Sequence, residues 1–344
     1  MAYHPPPDIN NLAGYEINSI TPGSGPRYQL VSLIGQRCKP VWINGKFHST
    51  AVYECFEVHD PLRTLFACKV IPKGMFAGDG IERLEREVDI IYAFRGNPNV
   101  IRTNDLCEDD HFVCIIMPIM VNLVDWINNL TSYTEADARN IVVETTRAIA
   151  ALHARGVCHR NIKLSNLLVS PDGHVVVTDF LVAKYYGRDD DPMTTVCGSK
   201  RYMAPEIVRN RGEEKRTYTE KCDCWSLGVV AYILLAGMHP FPVVEDHVYY
   251  FIANKDYNRA LLKLKGVSDD AFDFIAKLLN KEPSERPSPS DLLASDPWLN
   301  APVINPCANL IESARNLRRV QNDDDLEDFN KDEGYDELNE RYQK

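Results

Sequence analysis

The 344-residue sequence predicts an α+β fold in two parts: a small strand-rich half, then a larger helical half. Two observations carry this. Before Pro118, short runs of β-branched and aromatic residues alternate with turn signals. After it come longer segments whose apolar residues recur near a 3.6-residue period.

The elements follow in order. Met1–Pro26 is rich in Pro, Gly and Asn and has no period, so residues 1–27 are expected to form a flexible leader. Strands are expected at Tyr28–Ile34, Ala51–Val58 and Leu62–Ile71. The insert "GQRCKPVWINGKFHST" between the first two is long for a hairpin loop. In "GIERLEREVDIIYAF", Ile81, Leu84, Val88 and Ile91 give a helical period. "FVCIIMPIM", Phe112 to Met120, reads as a buried strand or a connector. "TEADARNIVVETTRAIAALHARG" opens on Thr134 with Asp137 three residues on, close to a capping box, and ends on Gly156. Helices also fit "EKCDCWSLGVVAYILLAG", "DDAFDFIAKLLN" and "PSDLLASDPWL". No internal repeat is visible. Residues 28–299 are thus expected to fold as one domain, divided into 28–117 and 118–299, with 300–344 as an acidic tail.

Composition excludes several classes. Hydrophobic residues make up 44% and charged residues 25%, ordinary for a soluble globular protein. The longest apolar runs, such as "VVAYILLAG", are too short to span a bilayer, and the first residues lack a signal-peptide pattern, so no membrane partner is expected. The ten cysteines form no C-x-x-C pair and read as reduced thiols of a cytoplasmic or nuclear protein. Net charge is −11, and Gln321–Lys344 alone holds ten acids and three bases. That leaves −11 − (−7) = −4 for the rest, which argues against nonspecific nucleic-acid binding.

Several short motifs carry the chemistry. Lys69 ends a strand in "FACKV", and Glu87 follows eighteen residues later in a helix. A strand lysine ahead of a helix glutamate is one way to position an ammonium over phosphates. "HRNIKLSN" offers Lys163 and Asn166, "VVVTDFL" ends a β-like run on Asp179, and "GSKRYMAPE" and "CDCWSLG" follow. Each match alone is weak; their order and spacing together are specific.

With these motifs the chain resembles the eukaryotic protein kinase superfamily, from about Tyr28 to Leu299, and "PSDLLASDPWL" resembles the calmodulin-kinase-like branch. The resemblance implies a bilobal protein kinase fold with ATP and Mg as cofactors. Lys69 would meet the α/β-phosphates and pair with Glu87. Gly35 and Val52 would belong to the phosphate-covering loop. Ile116 would line the back of the adenine pocket, with the Met117 carbonyl and the Ile119 N–H facing adenine. Asn166 and Asp179 would hold the metal, and Lys163 would help position the phosphoryl group. Glu206, of Ala204–Pro205–Glu206, would pair with Arg286, and Asp223 would brace the catalytic loop. Thr195 stands near the family's activating phosphorylation site, where Arg160 could pair with a phosphate; a solvated loop threonine is the other reading.

Three departures stand against these matches. Asn161 occupies the position of the catalytic aspartate, and an amide is no base near neutral pH. It reads either as a lost base or as a near-isostere in a slow enzyme. Counting back from Val52 puts Thr50, Phe47 and Gly45 at the three glycine positions of the phosphate loop, where side chains would crowd the backbone approach. Leu181 replaces the glycine after Asp179–Phe180 and would restrict the aspartate's pose.

Together the losses imply a pseudokinase acting as a signalling scaffold. The alternatives are a weakly active ATP-dependent serine/threonine kinase and a nucleotide-sensing module. The triplet Asp189–Asp191 and the "NLVDWI" run also resemble the Tribbles pseudokinases. That likeness implies a transcription factor or a signalling kinase as partner, and possibly a ubiquitin ligase. The family's ligase-recruiting tail motif is not found between Asn300 and Lys344.

Overall fold

The chain divides into two units. One is built on residues up to Gly96 together with Val100–Met120; the other takes Asn97–Asn99 and the described residues from Val121. The structure is a computed structural model. It describes residues 8–20, 25–43, 46–76, 80–130, 133–187, 192–212, 215–242 and 247–301, with backbone alone at 35–43, 46–49, 75–76 and 80–81. The change of unit falls after Met120, against an expected division after Met117.

Among the described residues the first unit holds a six-stranded antiparallel sheet and one α-helix. Its strands are β1 (Glu16–Asn18), β2 (Arg27–Ile43), β3 (Lys46–Glu57), β4 (Leu65–Pro72), β5 (Asp105–Glu108) and β6 (Phe112–Pro118), in the order β1-β2-β3-β4-β6-β5. Helix α1 (Gly80–Ala93) lies between β4 and β5 in sequence. "FVCIIMPIM" is therefore a strand, paired on both sides by β4 and β5.

The structure extends one sequence reading and corrects another. The insert after Ile34, long for a hairpin loop, extends the two strands: β2 and β3 stay paired through Val41↔His48, Trp42↔Phe47 and Ile43↔Lys46. β2 ends at Ile43 and β3 begins at Lys46; Asn44 and Gly45 lie outside the described residues. The register slips between Arg37 and Val41, around Pro40, which has no N–H to give the ladder. The N-terminal segment, by contrast, is not a leader throughout. Ile17, flanked by exposed Glu16 and Asn18, is 1% exposed, and Leu12 is 2% exposed. β1 pairs with β2, and past its end Ser19 bridges to Cys107 of β5, so the sheet's two edges meet. Closure satisfies edge groups that would otherwise be open. The enclosed core includes Leu12, Ile17, Tyr28, Tyr53, Cys55, Cys68, Cys107 and Cys114. Among the described residues eight cysteines are free, and all but Cys197 are buried.

The second unit is helical. It contains β7 (Val121–Asn122), α2 (Leu123–Asn128), α3 (Glu135–Ala154), β8 (Val157–Cys158), β9 (Leu167–Val169), β10 (Val175–Val177), β11 (Lys184–Tyr185), α4 (Pro205–Arg209), α5 (Lys221–Ala236), α6 (Val248–Asn254), α7 (Arg259–Leu264), α8 (Asp269–Leu278) and α9 (Pro289–Ser295). α3 begins at the expected capping box of Thr134 and Asp137 and gives way to Gly156 at φ 69°. α5 is buried nearly all round, as a central helix must be, and packs on α3 and α8. The short strands β7, β9 and β10 form one small sheet, and β8 pairs with β11. These ribbons hold the loops that carry the candidate site. The expected acidic tail lies outside the described residues from 302 onward.

Candidate active site

In the first unit Lys69 projects from β4 and Glu87 from α1. Lys69 Nζ donates to Glu87 Oε1 at 2.7 Å. Lys69 is 4% exposed and Glu87 is fully buried. Lys69 lies between Val52 of β3 and Ile115 of β6 in the ladder. Gly35 faces Val52 across the β2–β3 pairing. Thr50 pairs with Arg37 and Phe47 with Trp42, so both are strand residues of the long hairpin, and Gly45 lies outside the described residues. Ladder pairing keeps the backbone extended at both positions. Ile116 is buried, Met117 stands opposite Ala67, and Ile119 lies just past the end of β6.

In the second unit Asp223 braces the loop that carries Asn161. It sits in the first turn of α5 and is fully buried. Its Oδ2 accepts the His159 N–H and its Oδ1 the Arg160 N–H, both at 2.8 Å. His153 Nε2 lies 2.9 Å from Oδ2. Burial by itself would raise this carboxyl's pKa. The hydrogen bond and charge of His153, with help from His159, outweigh it and hold the pKa below its ordinary value. Arg286 and Glu206 form a bidentate pair at 2.7 and 2.9 Å, as the resemblance implied.

Three residues hold Asn161. Its Oδ1 accepts both the N–H (3.1 Å) and the hydroxyl (3.0 Å) of Ser199, and its Nδ2 points to Asp179 Oδ2 at 3.4 Å. Its backbone carbonyl accepts from Asn166 Nδ2 at 2.9 Å. The loop thus joins Asn161, Asn166 and Asp179. Asp179 sits at φ 70°, an uncommon conformation for an aspartate, and Leu181 has no left-handed φ. Leucine therefore fits this backbone without strain. Phe180 is buried edge-on against His159 at 4.8 Å. Lys163 is half-buried in the same loop.

Arg160, at φ 62°, donates through Nε to the Val182 carbonyl and through Nη1 to the Tyr218 hydroxyl. Tyr218 in turn donates to the carbonyl of Thr195, whose side chain is exposed. Arg160 and Thr195 are thus linked through a tyrosine.

Sequence reasoning missed Ser199, Tyr218 and His153. Ser199 was within reach: it lies in "GSKRYMAPE" beside Gly198, at φ 97°, where a Cβ would stand 2.4 Å from the Arg160 carbonyl oxygen. Only glycine lets the segment approach so closely that Ser199 can cap Asn161. Tyr218 and His153 had no sequence signal, because their partners are 23 and 70 residues away.

With this geometry in place, the chain belongs to the protein kinase family: the protein kinase domain model matches residues 44–299. Its relatives place it in the calmodulin-kinase-like branch. It is 33% identical over 242 residues to calcium/calmodulin-dependent protein kinase type 1 of Caenorhabditis elegans, covering 69% of this chain and 67% of that one. Myosin light chain kinase A of Dictyostelium discoideum is 34% identical over 242 residues, with 69% and 79% covered. CDPK-related kinase 7 of Arabidopsis thaliana is 34% identical over 241 residues, covering 68% of this chain and 40% of that one. The match spans well under half of the longer relatives, 35% in the case of the probable serine/threonine-protein kinase fhkD of Dictyostelium discoideum.

ATP and Mg are the family's usual cofactors, and the residues present fit them in part. The Glu87-held ammonium of Lys69 suits phosphate oxygens. Asp179 supplies a carboxylate. Asn166 spends its Nδ2 on the Asn161 carbonyl and so keeps an amide oxygen for a cation.

Proposed function

We propose that this chain is a catalytically impaired kinase, a pseudokinase, that acts as a signalling scaffold or adaptor. In this reading it binds a transcription factor or another kinase in the cytoplasm or nucleus and alters its activity or turnover; recruitment of a ubiquitin ligase belongs to the same proposal. One observation carries it. The side chain at the base position is an amide whose oxygen is already occupied by two donors from Ser199. It can neither take a substrate proton nor turn freely toward a hydroxyl. Losing a general base costs roughly 10²–10⁴ in rate. The parts that hold the domain together, Asp223 and the Glu206–Arg286 pair, are in place beside it.

A second reading, a weakly active ATP-dependent serine/threonine kinase, is favoured by the intact Lys69–Glu87 pair and by Asp179. When bound, Mg-ATP supplies the transferable phosphoryl group and neutralises its charge. Lys69 would hold phosphate oxygens, Asn166 and Asp179 the cation, and Lys163 would orient the group, with transfer driven by electrostatics alone.

Labelled-phosphate transfer to a basic peptide separates the two. The scaffold reading expects wild-type transfer no higher than that of Asp179→Asn, and equal capture of partner proteins by both forms. Wild-type transfer well above Asp179→Asn would establish the slow enzyme instead.

A further inference from the structure

Three elements of the second unit converge behind the loop that carries Asn161: the last turn of α3, the short strand β8 and the first turn of α5. Each brings a metal-ligating side chain to one point. His153 Nε2 lies 2.9 Å and Cys158 Sγ 3.3 Å from Asp223 Oδ2, and the three atoms lie within 4.8 Å of one another. Cys222, next to Asp223 on α5, sets its Sγ 3.5 Å from Cys158 Sγ. Cys158 and Asp223 are fully buried, and Cys222 is nearly so.

The spacing suits a tetrahedral ion. Zinc, with bonds of roughly 2.0–2.3 Å to N, O and S, holds its ligand atoms about 3.3–3.8 Å apart. The distances of 2.9, 3.3 and 3.5 Å are slightly shorter, so the ligands need part only a little to admit the ion. A nitrogen, an oxygen and two sulfurs form a borderline-soft donor set, which favours zinc over magnesium or calcium. The backbone around the point is fixed: β8 pairs with β11, and the Tyr186 hydroxyl donates to the His153 carbonyl at 2.8 Å. The His153 side chain, 9% exposed, leaves a path from solvent.

Bracing the loop needs only the His159 and Arg160 N–H groups and the imidazole on Asp223. The two thiols beside them are weak hydrogen-bond donors but strong metal ligands once deprotonated. Burial holds the Cys158 thiol well up, with Cys222 and Asp223 adding to it and Arg160 opposing. An ion displaces both thiol protons to solvent and takes two thiolates and the Asp223 carboxylate as ligands. Three negative charges then meet two positive ones, and the Arg160 guanidinium, which already acts on Cys158, offsets the remainder. Asp223 Oδ2 keeps a second lone pair for the His159 N–H.

We propose that His153, Cys158, Cys222 and Asp223 form a structural zinc site that ties the end of α3 and the start of α5 to the loop carrying Asn161. Cys222 joins by a turn of its side chain about the Cα–Cβ bond. All four positions are filled by the protein, so the ion is closed to substrate and acts on the fold, apart from phosphate transfer. Without the ion, the same groups hold one another by the hydrogen bonds described above.

Cobalt(II) tests the site, because tetrahedral thiolate ligation gives it visible d–d bands and a near-ultraviolet sulfur-to-metal band. The full chain, stripped with a chelator and kept reduced by a phosphine, is titrated with cobalt and then with zinc. Expected are a single ion per chain with both bands, displacement of cobalt by zinc, and a melting temperature that rises with zinc concentration. Cys222→Ser should weaken the sulfur band, and Cys158→Ser with Cys222→Ser should abolish it. His153→Gln should weaken cobalt binding by at least the roughly 10–100-fold that loss of an outer-shell partner costs. Circular dichroism of each metal-free variant separates a lost site from a lost fold. A wild-type chain that binds no cobalt, or binds it without the sulfur band, would overturn the proposal. So would a sulfur band that persists in the folded double variant, since the ion would then sit on other cysteines. If the double variant does not fold, an unchanged cobalt affinity in His153→Gln overturns it instead.

Discussion

Two polar sites in this chain, one buried and one half-buried, treat charge in opposite ways. In the first unit Lys69 and Glu87 keep a full ion pair, 5% and 1% exposed in their side chains. In the second, the position of the catalytic carboxylate is a neutral amide, satisfied by Ser199 and resting against Asp179. A buried ion pair is costly to desolvate, and apolar replacements of equal volume are often no less stable. Packing alone therefore gives little reason for Lys69–Glu87 to persist. At Asn161 the opposite holds: an aspartate there would bring a second carboxylate against Asp179, and the amide removes that repulsion. The comparison separates a site that keeps a buried charge pair from one that holds a neutral amide.

The sharpest way to break this contrast is Asn161→Asp. It restores a proton acceptor beside the Asp179 carboxylate, whose backbone pose is already in place. Transfer to a peptide should rise by roughly 10²–10⁴. No rise would mean that the long β2–β3 hairpin limits the reaction as well. On the other side, Lys69→Met strands the Glu87 charge and should cost about 3–5 kcal/mol in denaturant unfolding, whereas Lys69→Met with Glu87→Leu should recover most of it. If the double variant stays as unstable as the single one, the pair is structural and the contrast fails.

Acid should act on the second unit through Asp223. Its pKa is lower in the fold than the ordinary 3.8. Its stabilisation is therefore whole above the unfolded value and is lost as pH falls through the folded one. The melting temperature should drop on acidification below about pH 4, and Asp223→Asn should lower the neutral-pH plateau while flattening that drop. Ser199→Ala is the mildest test. It removes one of two donors to Asn161 Oδ1 and should cost about 0.5–1.5 kcal/mol. In the Asn161→Asp background the same change should slow transfer, because the base would lose its orienting hydroxyl.

Much of the site could be read from the sequence because it is written in local spacing. Lys69 and Glu87, the loop from His159 to Asn166, Asp179 and the Glu206–Arg286 pair all follow from motif order. Helix α3 followed from Thr134, Asp137 and Gly156, since caps are short-range hydrogen bonds. Other features depend on residues far apart in the chain. The burial of Ile17 depends on strands β2 and β5, and a three-residue strand has no pattern of its own. The extension of β2 and β3 across the insert depended on a register that Pro40 interrupts. Asn161 is the clearest case. The sequence alone determined that this position holds an amide instead of a base. Only the tertiary structure decided that the amide is spent, because its partner Ser199 lies 38 residues away and reaches it through the space left by Gly198.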